Sequence, residues 1–257
     1  RKSQQVALDS RPYAYKVLEL LDRVSGSLPV SNIFTEKREV KRTLLIIITS
    51  DRGLIGSFNT QAFRKVDEFF ATDEHKDNDK HSYVALNIGK KATLYCEKSN
   101  IEHVADFEGF GDFVGAQEIQ PSVEVIIEGF ESGKWDRVVT IASNFVSTLK
   151  QEMVIKHLLP VDVDQVRQTL IDIAPEHGRY AELRDQIKDR IDSKIKDESY
   201  VDYIFEPSPQ KTVELLMPHL VKMELYHTIL EANASEHSAR RVAMKTASDN
   251  AVELSDA

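Results

Sequence analysis

Gly53-Leu54-Ile55-Gly56 is the stretch of this chain most like a ligand-binding motif. Its two glycines follow an apolar run and precede a helical pattern, the place where dinucleotide-binding folds cradle a pyrophosphate. The spacing does not build that cradle. Gly-x-Gly-x-x-Gly supplies a tight turn, close phosphate approach and helix packing; here there are two glycines, and Asp51 puts negative charge at the turn. No Gly-x-x-x-x-Gly-Lys-Ser/Thr string occurs either. Gly53 and Gly56 therefore read as fold-defining turn residues that let a helix pack on a sheet. The chain is expected neither to hydrolyse ATP nor to bind ATP or NAD tightly.

Other reactive side chains give weaker signals. The eight histidines form no His-Glu-x-x-His, and His219 and His227 sit two helical turns apart with Met223, a poor ligand, between them. No Gly-x-Ser-x-Gly elbow is present. The pairs Asp162 with Asp164 and Asp189 with Asp192 lie in charged surroundings, where solvation is the default. The single Cys96 rules out an intramolecular disulfide and a Cys-based zinc site, and reads as a small buried hydrophobe. No catalytic, cofactor-binding or metal-binding residue is assigned, and no cofactor is expected.

The elements that would carry these residues alternate. Thr43 to Thr49 is a continuous β-branched and leucine run, typical of a strand covered on both faces of a parallel sheet. Thr60 to Phe70 follows as a helix with Ala62, Phe63, Val66, Phe69 and Phe70 on one face. Tyr83 to Ile88 is the next strand, Lys91 to Lys98 a helix or short turn, Val123 to Phe130 a helix opened by Pro121, and Arg137 to Ala142 a third strand. This order predicts a Rossmann-like, doubly wound α/β domain. The polar stretch Thr72 to Lys80 is expected to be a solvated loop, and Glu176 to Asp197 an amphipathic helix.

The ends of the chain are different in kind. An N-terminal segment reads as a helix with Tyr13, Val17, Leu20, Leu21 and Val24 on one face. From Gln210 onward the pattern is helical, with Pro218 as the one interruption. Leu225, Ile229, Ala232, Glu236, Ala239, Ala243 and Ala247 fall three or four apart, like a coiled-coil seam whose alanines allow close approach of a second helix. At ~1.5 Å per residue such a helix outreaches a compact domain and should protrude. The predicted organisation is residues 1–28 as part of one coiled-coil helix, 29–208 as the α/β domain, and 209–257 as the other helix.

A net charge of −9 disfavours nucleic-acid binding, which needs clustered Lys and Arg. The longest strongly apolar run, Leu44 to Ile48, is too short to span a bilayer, so direct membrane insertion is not expected. Arg1 to Val6 has no apolar signal region, and export is not expected.

Two segments carry a family likeness: Ser50-Asp51-Arg52-Gly53-Leu54-Ile55-Gly56-Ser57-Phe58-Asn59, and the run from Ala234-Ser235-Glu236-His237 to Ala251. Arg11-Pro12-Tyr13-Ala14, Leu158-Leu159-Pro160 and Tyr203-Ile204-Phe205-Glu206-Pro207-Ser208-Pro209 agree in the same order. On these residues the chain resembles the gamma subunit of the F-type ATP synthase, truncated at both ends. The resemblance implies a central rotor stalk, an antiparallel coiled coil on an α/β foot. Its implied partners are the alpha, beta and epsilon subunits and the c-ring, on the cytoplasmic face of a bacterial inner membrane, with an organellar counterpart left open. It implies a non-catalytic role, coupling ion-driven rotation to ATP synthesis, and a c-ring and epsilon contact at Tyr203, Phe205 and Glu206. Two other readings stay open. A nucleotide-dependent enzyme on a divergent dinucleotide fold would show nucleotide affinity, and a free-standing coiled-coil scaffold would bind partners outside the synthase.

Overall fold

The structure is a computed structural model, and it describes residues 32–75, 81–111, 114–147, 150–161 and 208–256. In chain order the elements are β1 (Arg42–Ile48), α1 (Phe58–Thr72), β2 (Ser82–Ile88), α2 (Lys90–Ser99), β3 (His103–Phe107), α3 (Gln120–Glu131), β4 (Arg137–Phe145), β5 (Gln151–Leu159) and α4 (Pro209–Asp256). The strands form one sheet in the order β3-β2-β1-β4-β5. The first four are parallel and β5 runs antiparallel beside β4.

The apolar run of β1 is explained by its central position, with β2 on one side and β4 on the other. Side chains alternate between faces. Leu44, Ile46 and Ile48 join the core shared with α3 and α4, while Leu45 and Ile47 join the one shared with α1 and α2. Both faces are thus covered by helices, the condition under which a parallel strand needs no polar side. Burying side chains of this size contributes about 1.5 to 3 kcal/mol each, enough to make β1 the strongest organising element of the sheet.

Two strands escape the sequence pattern. The edge strand β3 alternates half-buried and exposed residues, and β5 is only half-buried along most of its length. Neither makes an apolar run.

The polar stretch after α1 departs from expectation. Asp73 is 7% exposed, and its carboxylate takes a bidentate pair from Arg137 at the start of β4, Nη1 to Oδ1 at 2.9 Å and Nη2 to Oδ2 at 2.6 Å. Tyr83 Oη donates to Oδ2 at 2.6 Å, and Arg137 Nε donates to Thr43 Oγ1 at 3.0 Å. Burial alone would push the Asp73 carboxyl up. The hydrogen bonds from Arg137 and Tyr83, with the guanidinium charge, outweigh it and hold the group below its ordinary value. The loop therefore begins with a buried anchor rather than in solvent.

Candidate functional site

The turn after β1 lies at the carboxyl ends of the parallel strands, the side on which sheets of this kind bind ligands. Here the turn is closed by the chain's own side chains. Asp51 Oδ1 accepts from the backbone N–H of Lys90, at the first turn of α2, at 3.0 Å, and Oδ2 accepts from Gly109 N–H at 2.9 Å. Thr49 Oγ1 accepts from Ala92 N–H at 2.8 Å. Ser50 and Asn59 exchange side-chain hydrogen bonds and tie the turn to α1. The N–H groups of Lys90, Ala92 and Gly109 already hold a carboxylate or a hydroxyl, and the carboxylate would repel an incoming anion. Calorimetry with ATP or NAD is accordingly expected to show no saturable binding in the micromolar range, and such a signal would favour the enzyme reading.

Of the two glycines in the turn, the geometry calls for glycine only at Gly56, whose φ is +60° and whose Cβ position lies 3.9 Å from the Ala243 Cβ of α4. Gly53 takes no left-handed angle, and a methyl there would meet open space. The other left-handed residue is Leu54, φ +63° and 79% exposed. The turn is thus shaped by Leu54 and Gly56, and it rests against the long helix.

That helix, α4, has 48 residues and so extends over about 72 Å. It continues through Pro218, which has no N–H for the carbonyl four residues back. Of the residues spaced as a seam, Leu225, Ile229 and Ala232 lie in the hydrophobic core with β4. Glu236, Ala239 and Ala243 are half-buried and Ala247 is exposed. Glu236 also pairs with Arg240 one turn on. The segment that would supply the second helix of the pair, residues 1–28, lies outside the described residues. So do Tyr203, Phe205 and Glu206, and the stretches Glu176 to Asp197, Asp162 and Asp164.

On one flank of α4 sits a charged group. His227 Nε2 lies 3.1 Å from Glu231 Oε1, a close approach without hydrogen-bond alignment, and Lys156 Nζ of β5 lies 3.8 Å from Glu231 Oε2. Burial raises the Glu231 carboxyl, but the charges of His227 and Lys156 outweigh it and leave the group lowered. Glu224, two turns before Glu231, is pushed by burial up to about 7, with Lys156 opposing the shift. A raised folded value means that Glu224's contribution is fully present below the ordinary carboxylate value of 4.5 and is lost as pH rises through about 7. Glu224→Gln is therefore expected to raise the melting temperature at pH 8 and to have little effect at pH 4.5. An equal effect at both would remove the ionisation argument.

Cys96 is buried and gives its S–H to Asn87 Oδ1 at 3.2 Å; burial pushes the thiol up to about 11, so it is unreactive near neutrality. His219 lines a shallow cavity of about 250 Å³ between α3 and α4, together with Val123, Ile127 and Lys222. Among the described residues no three His, Cys, Asp or Glu side chains are grouped so as to hold a metal ion. No described helix is long and apolar enough to cross a membrane.

The polar contacts that join the long helix to the domain were not visible in the sequence pattern. Lys222 Nζ donates to Gln120 Oε1 at 2.6 Å, and Tyr226 Oη donates to the Val114 carbonyl at 3.1 Å. Asn233 Nδ2 donates to the carbonyls of Phe110 at 3.1 Å and Gly111 at 2.9 Å. Their targets are mostly backbone carbonyls more than a hundred residues away, which no local motif records.

The arrangement is an open α/β sheet domain carrying a long helix, and known proteins share it. The solved mitochondrial ATP synthase central stalk and c-ring of Tetrahymena thermophila contains a chain that aligns with a TM-score of 0.56 at 18% identity, over 96% of this chain and 98% of that one. The ATP synthase gamma chain of Roseiflexus castenholzii is 34% identical over 257 residues, 99% of this chain and 78% of that relative. The sodium ion specific ATP synthase gamma chain of Acetobacterium woodii is 30% identical over 260 residues, 100% of this chain and 80% of that relative. A family model described as ATP synthase matches residues 1–257, and with these relatives it shows that the chain belongs to the ATP synthase gamma chain family.

Proposed function

We propose that this chain is the central-stalk rotor subunit of an ion-translocating ATP synthase and that it transforms no substrate itself. The observation that carries the reading is a helix of 48 residues fixed at one end in an α/β domain, whose last turns, from Met244 onward, are exposed. Such a lever suits transmission of torque. Rotation by ion flow presents different faces of the shaft to otherwise equivalent catalytic subunits, and each angle favours one conformation and one nucleotide affinity. Residues 1–28 and 209–257 form the antiparallel coiled coil of the shaft in this reading, and 29–208 the foot. The foot meets the c-ring and epsilon, and the shaft enters the alpha and beta hexamer. The complex sits on the cytoplasmic face of a bacterial inner membrane.

Tyr203, Phe205 and Glu206 are proposed as foot contacts, the aromatics supplying buried area and the glutamate a charge for a basic loop. The test is assembly. The chain is expected to co-purify with alpha, beta and epsilon subunits, and cysteines at 203, 205 and 206 are expected to crosslink to epsilon and c-ring loops. Crosslinks from elsewhere on the domain and none from these positions would sink the contact assignment. Failure to co-purify would sink the rotor reading.

A further inference from the structure

The long helix meets its domain through two kinds of contact. Met217, Val221, Leu225 and Ala232 bury an apolar face in the sheet core. Apolar packing resists separation, but it is non-directional and tolerates small slips. Directional contacts are concentrated elsewhere. At 100° per residue, Lys222, Tyr226 and Asn233 fall within about 40° of one another around the helix and span about 16 Å along it. Tyr226 and Asn233 reach the connection between β3 and α3, and Lys222 reaches Gln120, the first residue of α3.

Asn233 is the strictest member. Its single amide nitrogen spends both hydrogens on the carbonyls of Phe110 and Gly111, an arrangement that needs a side-chain nitrogen carrying at least two hydrogens. The gripped loop is itself held to the sheet. Gly109, next to Phe110, donates to Asp51, which also accepts from Lys90 at the start of α2. A continuous polar chain therefore runs from the β1 turn through the loop to the shaft.

We propose that Lys222, Tyr226 and Asn233 are positioning residues that lock the rotational angle of the shaft relative to the foot, with Asn233 as the principal lock. Their role is to keep torque at the foot from being spent in twisting the helix against its own domain. The proposal rests on the rotor reading.

The test uses the assembled synthase with its hexamer immobilised and a rigid probe on a cysteine introduced at the exposed Glu97. The readout is angular variance of the probe while the hexamer is held in a single nucleotide-bound state. Asn233→Asp keeps the shape but turns a double donor into an acceptor facing two carbonyls. Tyr226→Phe removes one hydroxyl. Each is expected to raise the variance, by about twofold for Asn233→Asp, where two of the four directional bonds become repulsive. Lys211→Met, which alters only an exposed pair with Glu214, is expected to leave it unchanged. Variance equal to wild type in both variants would overturn the lock, even if their melting temperatures fall. If Asn233→Asp does not assemble, Tyr226→Phe decides by the same criterion. A wild-type complex whose foot never turns during ATP hydrolysis overturns the rotor reading instead.

Discussion

Gly89→Ala is expected to destabilise the domain by about 3 to 5 kcal/mol, combining overpacking with a left-handed backbone angle. Gly89 has φ +96°, and a Cβ there would lie 2.2 Å from the Thr49 carbonyl oxygen and 2.7 Å from its carbon. Those atoms cannot move aside. Thr49 N–H donates to Ile88 O at 2.8 Å, and Gly89 N–H donates to Phe107 O at 2.8 Å, so relief would pull β1, β2 and β3 apart at their carboxyl ends. Two other glycines separate the components. Gly109 has φ +82° with open space around it, so Gly109→Ala carries the angle without the clash, while Gly53→Ala carries neither. Melting temperatures should fall in the order Gly53, Gly109, Gly89, with a loss of roughly 10 °C or more at Gly89. Equal loss at Gly109 and Gly89 would remove the steric argument.

Asp73→Ala is expected to cost about 3 to 5 kcal/mol, because it leaves the Arg137 guanidinium buried without its carboxylate. Both side chains are almost fully enclosed, so solvent screening does little for the survivor. Replacing both, as Asp73→Leu with Arg137→Met, should cost much less than the sum of the two single changes. Additive costs would show that the pair is not coupled. The pH dependence has a definite sign. Since the folded carboxyl is held below its ordinary value of 3.8, its contribution is present above that value and lost as pH falls through the folded one. Wild type should therefore lose stability on acidification below about pH 4 more steeply than the Leu–Met double variant.

Legibility in the sequence followed the range of the physics. β1, β2 and α1 were readable because burial on both sheet faces, or on one helix face, writes an apolar pattern into consecutive residues. The long helix was readable for the same reason, and its alanines suggested a close neighbour. β3 and β5 were not, because edge strands bury too little to show a run. Asp73 looked like loop because its polar neighbours conceal a partner 64 residues away. Tyr226 and Asn233 were invisible for a stricter reason. What they bind is backbone, and every residue offers the same carbonyl, so no residue type marks the other half of the contact. The glycines taught the reverse lesson, since residue type pointed at Gly53 while the left-handed angle fell on Leu54.

The carboxylate of Asp51, seated on the N–H groups of Lys90 and Gly109, bears on how such a shaft tolerates its surroundings. A ligand tethered by its own chain competes at an effective concentration that free ions and metabolites do not approach when the linker is short. An open site at the carboxyl ends of these strands would fill and empty with the energy state of the cell, and the foot's stiffness would vary with it. With Asp51 seated on them, the N–H groups of Lys90 and Gly109 are taken from within the chain, whatever the nucleotide level. The domain can then serve as a passive mechanical part whose properties are the same in starvation and in plenty.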